Sequence, residues 1–418
     1  MSRPLDLFLA REAIQACDLT GLPAPHRNRA LIEIGQLRFG VEISRESIRL
    51  LEDVGINASW DFEITFTGEQ WASFCAEVPP RGFTTAGAMF ATLGAEHIRG
   101  NRAKWARAAA VIDRIFANLR DRQVGKRQMS SRSPAQLKGL SPIEGRYVTA
   151  DIDGSPTRLY FEVAGEGIPV ICLHTAGSDS RQYRYILEDS RLTSRFRIYA
   201  FDLPWHGRSD PPDDWMERRY QLTTQGYANI VLAFMAALNI ESPILVGCSI
   251  GGGIGLYMAS RHADKFTGVC ALEGGLGNPG RFVDWTNRLD VDHSAFLLSY
   301  EAGLIAPSAP PGPRAQTLWH YAQSGPGIYQ GDTYFYSNDL PKIAPSLERA
   351  QCPLYVLAGE YDYSATVEMS RAAADQLGGE LVVMKGRGHF PMSEDPVGFS
   401  EYFHPTLEAL ALHWKKEH

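Results

Sequence analysis

Apolar and polar positions follow one rhythm in the first third of this 418-residue chain and another in the rest. In the front part, Asp61-Phe62-Glu63-Ile64-Thr65-Phe66 alternates as a half-buried strand does, and Phe39-Gly40-Val41-Glu42-Ile43 reads as extended. Thr67 to Phe74 opens a short helix, and a turn at Pro79-Pro80 and an apolar stretch over 84–93 follow. A long helix is predicted over 104–119, because Ala108, Ile112, Ile115 and Leu119 share one face. After residue 143 the pattern changes. A hairpin is predicted over 147–162, turning at Asp153-Gly154. Apolar runs at 168–173, 196–200, 243–246, 268–272 and 354–358 then alternate with helical segments. That alternation predicts a mostly parallel sheet with helices on both faces. Between the two parts, 121–142 is polar and aperiodic and reads as a solvated linker. The expected organisation is a small α+β domain over 1–120, the linker, and an α/β domain over 143–418. The last carries an aromatic-rich insertion at about 275–349.

Composition narrows the function. Apolar residues make up 44% and charged residues 21%, as in ordinary globular proteins. A net charge of −7 argues against a nucleic-acid partner. No apolar run reaches membrane-spanning length. The start, Met1 to Asp6, lacks a secretory pattern, and six cysteines stand singly at 17, 75, 172, 248, 270 and 352. Single cysteines in apolar runs are small core residues of a reducing compartment, so a cytoplasmic protein is expected. Eleven histidines form no HxH or HExxH cluster, so neither metal nor cofactor is expected.

The chemistry concentrates at Gly247-Cys248-Ser249-Ile250-Gly251. The segment joins an apolar run to a helix-like stretch, which is the context of a nucleophile elbow. A serine hydroxyl needs a base, and the base needs an orienting acid. Downstream, a buried run ends in Gly359-Glu360-Tyr361-Asp362, and Gly386-Arg387-Gly388-His389 places a histidine on a glycine-rich loop. The order Ser249, Asp362, His389 predicts a catalytic triad. Read separately, Asp362 would be a helix cap and His389 a loop histidine, which leaves the ordered set unexplained.

Upstream, the run at 168–173 ends in His174-Thr175-Ala176-Gly177-Ser178. With the elbow and triad order, this resembles the alpha/beta-hydrolase superfamily over roughly 145–418. The resemblance implies an oxyanion hole from the amides of Ala176 and Ile250, although Thr175 replaces the usual glycine. Phe201-Asp202-Leu203-Pro204-Trp205-His206-Gly207-Arg208-Ser209 is similar to the family's Asp-x-x-Gly-x-Gly-x-Ser pattern with Trp205 in place of the first glycine, and Asp202 and Ser209 read as loop braces. Glu273 stands at an acid position used in parts of the superfamily, but Asp362, on its glycine turn, is the expected acid. The insertion stands where caps occur in this superfamily. Substrate contacts are expected from Thr175, Trp205, Trp285, Trp319 and Tyr336. The set of motifs is similar to bacterial phthalate monoester hydrolases, implying a small apolar or aromatic ester as substrate. A carbon–carbon bond hydrolase of aromatic degradation can use the same triad. The front part resembles sterol-carrier-protein-type domains. That implies a lipophilic-ligand cradle or a surface for homodimer contacts, and a third reading makes the chain a lipophilic-ligand binding protein on an inactive hydrolase scaffold.

Overall fold

A computed structural model describes residues 3–20, 22, 27–52, 54–55, 58–128, 133–134, 139–282, 288, 291 and 293–414. Two compact units emerge: Met1–Met129 with Arg288–Ser308, and Ser130–Asn287 with Ala309–His418.

The first unit holds a five-stranded sheet of order β3-β2-β1-β4-β5. Its strands are β1 (Arg27–Ile34), β2 (Leu37–Ser44), β3 (Ile48–Leu51), β4 (Phe62–Phe66) and β5 (Ile98–Gly100). The central strand β1 is absent from the sequence reading. Ala30, Leu31 and Ile32 are buried in succession, so the alternation that marks β4 is missing there. The long helix spans Arg102–Val124 and starts on Asn101, whose side chain caps the Lys104 amide at 3.1 Å. It buries Ala108, Ile112, Ile115 and Leu119 as expected, together with Trp105, Val111 and Phe116. Its last turn occupies 121–124, where the sequence suggested linker. Arg127 also belongs to this unit, donating to the Phe74 and Thr84 carbonyls at 2.6 Å each. At Phe74 the cation meets a carbonyl in the last turn of the helix Gly68–Cys75, where orphan oxygens gather.

A piece of the insertion is built into this unit as well. The helix His293–Ala302 buries Phe296 and Leu297, and Phe296 meets Trp105 edge to face at 6.0 Å. Thr84 donates to Gly303 at 2.8 Å, and Ser299 hydrogen-bonds Asp113. The boundaries expected from sequence assigned this whole insertion to the rear domain. Its middle therefore differs from that expectation.

The second unit is an eight-stranded mixed sheet, ordered β13-β12-β11-β10-β8-β9-β7-β6. The strands are β6 (Glu144–Ile152), β7 (Ser155–Ala164), β8 (Ile168–Leu173), β9 (Phe196–Phe201), β10 (Ile244–Cys248), β11 (Gly268–Leu272), β12 (Leu354–Gly359) and β13 (Glu380–Met384). The hairpin β6–β7 is antiparallel, β7 pairs antiparallel with β9, and all other neighbours are parallel. One face packs Cys172, Val246, Cys270 and Leu272 against Tyr183, Phe399, Phe403 and Leu407. All six cysteines are free thiols. Strand order reverses between β8 and β10. In open α/β sheets ligands bind outside the carboxyl ends of strands at such a switch point.

Candidate functional site

The loops at that switch point carry the predicted residues. β10 ends at Cys248, and Ser249 turns the chain with φ 58° and ψ −113° before the helix Ile250–Arg261. That backbone is strained for a non-glycine residue. Crowding explains the flanking glycines. A Cβ on Gly247 would lie 2.1 Å from the Gly251 carbonyl, and one on Gly251 would lie 2.6 Å from the Leu173 carbonyl. The Ser249 amide donates to Leu272 at 3.0 Å, tying the turn to β11. Its side chain makes no capping bond, so the hydroxyl stays free of the helix it precedes. The first amides of that helix lack intrahelical partners and carry its positive end.

The structure brings Asp362 and His389 together. His389 Nδ1 lies 2.6 Å from Asp362 Oδ2, and Asp362 Oδ1 accepts from the Ser364 amide at 2.6 Å. Both side chains are buried. The histidine loop touches the elbow, because Cys248 Sγ donates to the His389 carbonyl at 3.3 Å. Glu394 accepts from the Gly388 and Phe390 amides at 2.6 and 3.3 Å, holding the loop on either side of the imidazole. Glu273 follows β11 with φ 46° and has no exposed surface. Its two oxygens accept from the Gly359 amide at 2.8 Å each. Burial and then the Asp362 charge push its carboxyl well above the ordinary range. Polar atoms of Glu273, Asp362 and His389 all lie within 4.8 Å of one another.

The loop after β8 holds the other expected donor. The Thr175 amide is taken by Gln182 Oε1 at 3.0 Å, and the Gly177 amide by Asp332 Oδ2 at 2.7 Å. Ala176 stands between these two fixed amides. Asp332, on the helix Ile328–Tyr334, is wholly buried and also meets His206 Nε2 at 2.8 Å and Tyr220 Oη at 2.7 Å. Burial alone would lower the His206 value, but the Asp332 carboxylate and its hydrogen bond raise it overall. The neighbouring His174, its ring 4.8 Å away, is pushed down to about 4, chiefly by burial and then by His206. The Leu203 amide lies 3.1 Å from His174 Nε2, which fits a neutral ring. Asp202 braces the same region, accepting from the Ser180 and Arg208 amides at 2.8 Å each. Ser209 Oγ donates to the Asp202 carbonyl at 2.6 Å and accepts from the Tyr160 amide.

The expected substrate contacts divide. Tyr336 lies in a π-helical turn, Phe335–Asp339, and is buried. A Cβ on Gly253 would sit 3.4 Å from its ring, and one on Gly275 would sit 3.0 Å from its hydroxyl. That hydroxyl has no partner among the described residues. Trp205 has φ 75°, is half-buried and packs on Tyr220 with ring centres 5.5 Å apart. Thr175 turns its hydroxyl into a buried network with Gln182 and Tyr321. Trp319 is 58% exposed on the helix Pro311–Ala322, whose inward face is Thr317, His320 and Tyr321. Aromatic composition does not reveal which side of a helix faces inward. Trp285 lies outside the described residues. Sequence reasoning missed Asp332, Gln182 and Glu394. Gln182 follows Ser178-Asp179-Ser180-Arg181, Asp332 lies between Gly331 and Thr333, and Glu394 between Ser393 and Asp395, so no local pattern sets them apart.

Comparison with known proteins finds relatives in sequence and in fold. Over 197 residues, 46% of this chain, it is 28% identical to the dihydrolipoyllysine-residue acetyltransferase component of the acetoin cleaving system of Cupriavidus necator. The chain spans half of that relative's length. A thermophilic esterase from Thermogutta terrifontis superposes with a TM-score of 0.55 at 19% identity, covering 64% of this chain and 99% of the esterase. The enol-lactonase from Burkholderia xenovorans LB400 gives 0.54 at 22%, covering 64% and 100%. The sequence profile of the alpha/beta hydrolase family matches residues 170–401, from β8 through the elbow and past the histidine loop, and the chain belongs to that family.

Proposed function

We propose that the protein hydrolyses carboxylic esters of small apolar or aromatic substrates through an acyl-enzyme on Ser249. The observation that carries this reading is the buried 2.6 Å His389–Asp362 hydrogen bond on a loop that touches the strained serine turn. With Nδ1–H held by Asp362, the imidazole presents Nε2 as a base. Ser249 Oγ attacks the ester carbonyl as Nε2 takes its proton. The amides of Ile250 and Ala176 stabilise the oxyanion, and the imidazolium protonates the departing alcohol. Water then attacks the acyl-enzyme by the same route and frees the acid and Ser249. Tyr336, buried beside the elbow helix, supplies apolar surface and a hydroxyl for the acyl group. Family neighbours described as an esterase and an enol-lactonase support ester chemistry. The residues named in these steps all lie in the second unit.

A substrate panel tests the proposal. It holds short p-nitrophenyl esters, phthalate monoesters and a vinylogous 1,5-diketone, each run with the wild type and with Ser249→Ala. Ester turnover that falls by about 10³-fold or more in the variant supports the assignment. Turnover of the diketone in preference to every ester would reassign the protein to carbon–carbon cleavage.

A further inference from the structure

Two acids reach the histidine from neighbouring strands, and only one of them bonds to it. Asp362 accepts from the imidazole and from the Ser364 amide, a pair of donors that suits an ionised carboxylate. Glu273 accepts from one neutral donor, the Gly359 amide, shared between both its oxygens. Neither side chain has any exposed surface. Two carboxylates this close and this dry cannot both keep a charge, and a single amide does not compensate one. The other titratable groups near Glu273 are His389, Glu394, Cys248 and Tyr336, the last a phenol that burial keeps neutral. Glu394 adds negative charge, Cys248 sits in the wall as a thiol, and the imidazole donates its proton to Asp362 rather than to Glu273.

We propose that Glu273 stands protonated and donates its O–H to Asp362, acting as a positioning residue that keeps Asp362 aligned on the base. The proton on Glu273 is not transferred during turnover. It fixes the Asp362 carboxylate in the plane that the imidazole N–H requires. The strained φ of Glu273 has the same origin, since the backbone must turn sharply after β11 to aim the carboxyl at the end of β12. The proposal rests on the triad reading above, and its test is chosen to separate the two.

Infrared difference spectra of the full-length protein, wild type minus Glu273→Gln, report the proton without any substrate. A protonated-carboxyl carbonyl band at neutral pH, shifted by ¹³C-glutamate labelling, is expected. Wild type minus Glu273→Met gives the same subtraction, so one variant that fails to fold leaves the test intact. Carboxylate bands only would overturn the proposal whatever the enzyme hydrolyses. Kinetics supply the second arm. Glu273→Met, which cannot donate, should lower kcat by about 10–10²-fold and move the acidic limb of the kcat/KM profile upward. Glu273→Gln, whose amide can donate to Asp362 and accept from Gly359, should restore both. A Gln variant as damaged as Asp362→Asn would instead make Glu273 an ionised partner and contradict the assignment.

Discussion

Each side chain of the proposed triad is defined by what its neighbours allow. Ser249 sits in a turn that glycines alone can flank, and the acid is singled out by its bond to His389. Asp362→Asn should therefore cut kcat by up to about 10⁴-fold with little change in KM, because the amide stabilises the wrong imidazole tautomer. Stopped assays on a chromogenic ester at saturating concentration check this, and a loss below tenfold would remove Asp362 from the role. The serine turn was legible in the sequence because its requirement for small residues is local. The same is true of the glycine-rich histidine loop. The meeting of Glu273 with Asp362 was not, because it arises from the parallel register of β11 beside β12, with 89 positions separating the two residues. Trp319 shows the limit of composition. A tryptophan in an aromatic-rich insertion suggested a substrate contact, and only helix phase decides that it points outward.

At the level of elements, one buried carboxylate joins three segments. Asp332, from the helix Ile328–Tyr334, holds the Gly177 amide after β8, His206 after β9, and Tyr220. Holding Gly177 fixes the peptide beside Ala176, so the proposed oxyanion donor depends on a residue 155 positions away from its neighbour. No local pattern announces such a link, which is why the loop was legible and its brace was not. The His206 value is raised in the folded protein by Asp332. Its stabilisation is then fully present below the unfolded value of about 6.5 and fades as pH rises through the higher folded value. Asp332→Asn should cost about 3–5 kcal/mol at low pH, as expected for breaking a buried pair, and less in alkali. Urea melts of both proteins at about pH 5.5 and about pH 8.5 give the comparison. A stability gap that widens toward high pH would show that His206 is uncharged in the native state.

At the level of the whole molecule, the division into two units does not follow the chain. Residues 288–308 leave the insertion and complete the first unit, where Phe296, Leu297, Leu304 and Ile305 are buried. A periodicity reading assigns contiguous segments and has no means of seeing this. A chain beginning at Ser141 would keep every residue of the proposed chemistry but expose those four side chains, each worth about 1.5–3 kcal/mol when buried. It should bind a hydrophobic dye and melt below the full-length protein. A dye-silent chain with an unchanged melting temperature would mean that the segment finds its burial elsewhere. The central claim is that Ser249 is the nucleophile of a serine hydrolase whose base is His389. Labelling the full-length protein with a fluorophosphonate and mapping the adduct by peptide mass spectrometry tests it most directly. The expected result is one adduct, on Ser249, lost in Ser249→Ala and strongly slowed in a His389→Ala variant. An adduct on another residue, or none on a folded protein, would contradict the account.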